Sequence, residues 1–114
     1  MISTHVLDTS RGVPAVGVAV ILERLAGPEN SPTGELTRRK TDADGRIPEL
    51  LPNGRPLALG RYRLTFDTGS YFAGAGIEPF YPAVVITFNV RDVTQHYHVP
   101  LLLSPYGYST YRGS

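Results

Sequence analysis

The chain has 114 residues, of which 41% are hydrophobic and 18% charged, and eleven Lys and Arg against ten Asp and Glu leave a formal charge of +1. A chain so near neutrality lacks the basic excess that binds nucleic-acid phosphates through counterion release, so neither nucleic acid nor an anionic membrane is expected as a partner. The absence of cysteine removes disulfides, thiolate metal sites and cysteine nucleophiles together. A chain of this size buries about 65% of its unfolded surface, and little net charge keeps copies apart, so self-association is expected. No run approaches the roughly 20 apolar residues of a membrane-spanning helix. The first five residues carry no basic region leading an apolar core, so no signal peptide is expected and the cytoplasm is the expected location.

Twelve glycines and ten prolines are spread along the whole length, a spacing that punctuates short strands rather than long helices. Residues 4–8 form a short strand that ends at a turn rich in Ser, Arg and Gly. Residues 16–23 alternate, with Val16, Val18, Val20 and Leu22 on one face. Residues 27–34 are a loop by composition, and 35–41 read as a polar, edge-like strand. Asp42-Ala43-Asp44-Gly45 is a turn. Tyr62, Leu64 and Phe66 alternate with Arg61, Arg63 and Thr65 in a strand with one wet face. Residues 68–76 are the only helix-like piece, capped from Asp67, Thr68 or Ser70 and kept short by Gly69, Gly74 and Gly76. Val84, Ile86, Phe88 and Val90 mark another strand, and residues 95–104 the last long one. Seven or eight short strands in this order predict an all-β, antiparallel sandwich in a single domain over residues 1–114, with one short helix at an edge.

The chemistry-bearing residues are few. The chain has three histidines, His5, His96 and His98. Strand periodicity puts His96 and His98 on one face, opposite Tyr97, Val99, Leu101 and Leu103 on the core side. Pro100 and Leu102 share the histidine face, which is apolar for a surface that meets only water. An isolated strand histidine is ordinarily a solvated residue without a role. The His-x-His pair leaves two sharper chemistries open. One is a zinc site, with His5 as third ligand. The other is acid–base catalysis near neutral pH. Spacing does not choose between them.

Arg46 is either a solvated loop arginine or an anion clamp. Asp42 and Asp44 are turn formers. A calcium loop starting at Asp42 would need a glutamate at its twelfth position, where Asn53 stands. Tyr97, Tyr106, Tyr108 and Tyr111 make the C-terminal region aromatic, as either a last edge strand or a functional tail. No Gly-rich phosphate loop, Gly-x-Ser-x-Gly elbow or His-Glu-x-x-His motif is present.

Three stretches together are specific: Ser3-Thr4-His5-Val6-Leu7-Asp8-Thr9; Thr41-Asp42-Ala43-Asp44-Gly45-Arg46; and His96-Tyr97-His98-Val99-Pro100-Leu101-Leu102-Leu103-Ser104-Pro105, followed by Tyr111-Arg112-Gly113-Ser114. They closely resemble the transthyretin-like family, and within it the enzyme branch. The resemblance runs over essentially the whole chain except the loop at residues 26–34. The Tyr-Arg-Gly-Ser tetrapeptide is its most specific element, because hormone-carrying transthyretins lack it.

The resemblance implies a sandwich of two four-stranded sheets with one short helix, assembled into a homotetramer with a channel between dimers. The implied activity is hydrolysis of 5-hydroxyisourate, the unstable product of urate oxidation, to 2-oxo-4-hydroxy-4-carboxy-5-ureidoimidazoline. It also implies catalysis by His5, Arg46 and His98 and substrate binding by Tyr111, Arg112, Gly113 and Ser114. No metal or other cofactor is implied, and His96 is left without a catalytic role. Opening a cyclic acylureide needs an activated water, a proton donor for the departing nitrogen and a cradle for negative charge, which two histidines and an arginine supply. In the tail, the tyrosines are expected to anchor by burying their rings, and Gly113 to permit a turn. Arg112 is expected to pair with a carboxylate or the substrate. The competing reading is a carrier that binds an aromatic ligand in the tetramer channel.

Overall fold

The frequent glycine and proline punctuation translates into short strands wrapped around one apolar layer. The computed structural model describes residues 1–28 and 32–114. Their strands are β1 (Ile2–Asp8), β2 (Val13–Pro14), β3 (Ala19–Ala26), β4 (Gly34–Lys40), β5 (Arg46–Ile47), β6 (Gly60–Phe66), β7 (Val84–Val90), β8 (Tyr97–Ser104) and β9 (Gly107–Thr110), with helix α1 (Thr68–Gly74) between β6 and β7. They form two sheets, β2-β1-β8-β9 with β5 also paired to β1, and β4-β3-β6-β7. The expected two-sheet sandwich with one helix is present. The first sheet holds five strands rather than four, because two-residue segments on either side of the β3–β4 hairpin, β2 and β5, both pair with β1. The β1–β8 pairing is parallel, a departure from the antiparallel expectation. The chain leaves β1, touches it again at β2 and at β5 while the second sheet is being built, and re-enters beside it as β8 in the same direction.

The inner faces interlock as period-2 alternation dictates. Ile2, Val6, Leu101 and Leu103 from the first sheet and Val20, Leu22, Tyr62, Leu64 and Phe66 from the second belong to one buried cluster. Each such side chain contributes about 1.5–3 kcal/mol by leaving water. Val18, Val20 and Leu22 are buried as expected, but Val16 is 53% exposed. The reason is Gly17, whose φ of +78° makes a turn there and delays β3 until Ala19. The polar strand expected at 35–41 is β4, at the edge of its sheet. Of the loop expected at 27–34, residues 29–31 lie outside the described residues. Helix α1 is capped by Asp67, whose carboxylate accepts from the Ser70 amide.

One buried carboxylate fixes the end of β1. Asp8 accepts from the Ser10 hydroxyl at 2.6 Å, from Arg11 Nε at 3.0 Å and from the Tyr71 hydroxyl at 2.7 Å. Burial alone would raise its pKa, but these hydrogen bonds outweigh it and hold the carboxyl below its usual range. The contact from Tyr71 joins helix α1 to the strand that carries His5.

Candidate active site

Cross-strand register decides which side chains share the outer face of the first sheet. Ser3 pairs with His98 and His5 with Pro100 across β1–β8, while His5 pairs with Arg46 across β1–β5. Directly opposed residues point to the same side of a sheet, as do residues two apart on one strand. Ser3, His5, Arg46, His98 and Pro100 therefore share one face, and Gly113 joins it through a bridge to His98.

Arg46 is presented by the turn before it. The Asp42 carboxylate accepts from the backbone amides of Arg46 at 3.0 Å and Asp44 at 2.9 Å. Those bonds, the Arg46 amide first, hold the Asp42 carboxyl below its usual range. The aspartates are thus turn formers, as the composition suggested, and their consequence is the placing of an exposed guanidinium beside His5.

Ser3, a residue that sequence reasoning did not single out, joins the two histidines of the His-x-His pair. Its hydroxyl lies 2.7 Å from His96 Nε2 and 2.7 Å from His98 Nδ1. The ring centroids stand 6.2 Å apart. Ser3 is only 5% exposed, His98 is half-buried and His96 is exposed. Burial lowers the His98 pKa, and the nearby charges of His96, Arg46 and His5 lower it further, against a smaller opposing effect of the Ser3 backbone. His98 is therefore a neutral imidazole near pH 7. With Nδ1 engaged by Ser3, Nε2 is the ring nitrogen left to other partners.

Ser3, Arg46, His96, His98 and Ser114 line an open cleft of about 330 Å³. His5 stands beside Arg46 along the sheet but is not one of the residues lining that cleft. Among the described residues, no group of three or more His, Cys, Asp or Glu side chains is arranged to hold a metal ion.

The tail is held differently from expectation. Tyr106, Tyr108 and Tyr111 are 74%, 42% and 59% exposed, so their rings do not anchor it by burial. Backbone pairing does: β9 pairs with β8, and the Gly113 amide donates to the His98 carbonyl at 2.8 Å. Gly113 serves close approach rather than a turn, because a Cβ there would come within 2.5 Å of His98 Cδ2. The Arg112 guanidinium stacks over the buried Tyr97 ring at 4.6 Å, near Gln95 and the His96 carbonyl, and among the described residues it forms no salt bridge, although its charge helps to lower the Asp92 pKa. Ser114 reaches the cleft. Tyr111 and Arg112 instead line a hollow between the tail and β7, shared with Ile86, Phe88 and His98.

Comparison with known proteins places the whole chain rather than the single site residues. Residues 2–113 match the model of the HIUase/Transthyretin family. The 5-hydroxyisourate hydrolase of Caulobacter vibrioides is 49% identical over 117 residues, covering 99% of this chain and 97% of that protein. The structure of Klebsiella pneumoniae 5-hydroxyisourate hydrolase superposes with a TM-score of 0.85 at 42% identity, covering 99% and 98% of the two chains. Sea bream transthyretin in complex with thyroxine superposes as well, with a TM-score of 0.84, but at 30% identity, covering 98% and 93%. A fold shared by hydrolase and carrier, a match over nearly every residue and higher identity on the hydrolase side lead to one conclusion: the chain belongs to the HIUase/Transthyretin family.

Proposed function

We propose that this chain hydrolyses 5-hydroxyisourate, opening the ring to 2-oxo-4-hydroxy-4-carboxy-5-ureidoimidazoline, and that His5, Arg46 and His98 carry the chemistry. The observation that carries the reading is the half-buried imidazole of His98, held through Nδ1 by Ser3, in a cleft that also presents Arg46. Such an imidazole is unprotonated at neutral pH and takes a proton from water through Nε2. The activated water adds to the ring carbonyl carbon. Arg46 and His5, opposed across β1–β5, donate hydrogen bonds to the oxygen that gains charge. The C–N bond then breaks, and the departing nitrogen takes up a proton. Ser114, at the rim of the cleft, and Gly113, against the His98 ring, bind substrate from the tail side. Tyr111 and Arg112 complete the substrate-binding tetrapeptide from the hollow they share with His98.

The reaction is proposed to run without a metal or other cofactor, in the cytoplasm, in a homotetramer whose channel closes over the cleft. A carrier of a mainly apolar ligand is the weaker reading, because ionisable imidazoles and a guanidinium are poor lining for such a site. The test is the ultraviolet decay of freshly generated 5-hydroxyisourate with and without the protein, repeated after exhaustive chelation. Accelerated decay that survives chelation is expected. Decay at the spontaneous rate would overturn the hydrolase reading, and loss on chelation with recovery in zinc would overturn the metal-free one.

A further inference from the structure

We propose that Ser3 and His96 are positioning residues of the hydrolase, forming a hydrogen-bond relay from His98 Nδ1 through Ser3 Oγ to His96 Nε2. The inference rests on the hydrolase reading and on His98 as its base. Its ground is the pair of 2.7 Å contacts that converge on one nearly buried hydroxyl. A hydroxyl has one proton to donate and two lone pairs. When it donates to one imidazole nitrogen, its bond to the other must be an accepted one. The tautomers of the two rings are thereby coupled.

In the resting arrangement His98 Nδ1–H donates to Ser3, and Ser3 donates to His96 Nε2. His98 Nε2 is then a bare lone pair, the form a general base requires. A water O–H bond breaks, its proton goes to Nε2, and the oxygen's electron pair forms the bond to the ring carbonyl carbon. His98 Nδ1–H passes to Ser3 Oγ, and the proton Ser3 held passes to His96 Nε2. The positive charge now sits on His96, whose ring is exposed to water, instead of on half-buried His98 beside Arg46. His98 is left neutral with a proton on Nε2. As the C–N bond breaks, that proton goes to the departing nitrogen with the bond's electron pair. His96 returns its proton through Ser3 to His98 Nδ1, and the site is restored with no net proton gained or lost. A single nitrogen acts first as acceptor and then as donor. The groups that face it are His5 and Ser3 from β1, Arg46 from β5 and His96 just before β8.

The test compares Ser3→Ala, Ser3→Thr and His96→Gln with the parent chain on freshly generated 5-hydroxyisourate. Ser3→Ala is expected to lower kcat by about tenfold or more with KM little changed. Ser3→Thr, which keeps the hydroxyl, should recover most of the rate. His96→Gln should behave like Ser3→Ala, since an amide oxygen accepts a hydrogen bond but does not take the proton. Nitrogen-15 spectra of the histidine rings give a readout independent of turnover. The parent chain should hold neutral His98 as the Nδ1–H tautomer, and Ser3→Ala should release that preference and shift the acid limb of the kcat profile. Should Ser3→Ala fail to fold, His96→Gln, at an exposed position, carries the test. Parental kcat, tautomer and pH profile in both Ser3→Ala and His96→Gln would overturn the relay. If the parent chain leaves 5-hydroxyisourate at its spontaneous rate, the hydrolase reading fails, while the spectra still decide whether the rings are coupled.

Discussion

At the scale of single residues, the proposed chemistry requires one imidazole to stay unprotonated. Burial first, and the charges of His96, Arg46 and His5 after it, lower the His98 pKa. The sign follows directly. The neutral form persists to lower pH than in a free histidine, so kcat/KM should fall on the acid side with a midpoint below about 6.5. Folding stability moves the same way: the contribution of His98 is fully present above its unfolded pKa and is lost as the pH falls through the folded value. A pH–rate profile beside an acid titration of the melting temperature checks both. His98→Asn should cut kcat by about 10²–10⁴-fold. The His-x-His face was legible in the sequence, because a period of two is enough to separate His96 and His98 from Tyr97 and Val99. Ser3 was not. It shares its face with His5 by the same period, but its contacts to His96 and His98 span 93 and 95 residues of sequence. Only the parallel β1–β8 register reveals them.

At the scale of elements, strong alternation made the long strands readable, while β2 and β5 are two-residue pairings that no periodicity could announce. The tail beyond β9 is the element with the clearest consequence. Its attachment is a backbone bond from Gly113 to His98 and a glycine surface pressed to the His98 ring. Arg112 and Ser114 are exposed and add little to packing. Deleting residues 112–114 should therefore leave β8–β9 pairing and the melting temperature nearly unchanged. Activity should fall about tenfold to a hundredfold, the equivalent of one lost hydrogen bond to a charged group. The truncated chain assayed beside the full one, with a thermal melt as control, decides this. Full activity would make the tail no more than a strand end. The tyrosines misled the sequence reading because ring size suggested burial, whereas strand pairing had already fixed the chain and left the rings outside.

At the scale of the whole molecule, one side of the sandwich is unfinished. The edge strands β7 and β9 lie on the same side, joined through the Tyr81–Tyr108 ring contact at 5.4 Å. Exposed Phe80, Val85, Tyr106, Tyr108 and Tyr111 surround them. Unpaired edges beside apolar rings favour pairing with another copy, and light scattering should report about four times 12.4 kDa. A fully active monomer at micromolar concentration would refute the tetramer. The cleft has a second property that matters at the bench. Met1 and Ser114 both line it, so the first and last residues of this sequence border the same cleft as His96 and His98. If the cleft admits substrate as proposed, an affinity tag or fluorescent fusion attached at either of them should crowd its entrance and depress turnover even in a perfectly folded sample. The exposed turn at residues 53–55, where Gly54 faces open space, is the better place for a label, because none of its residues borders the cleft.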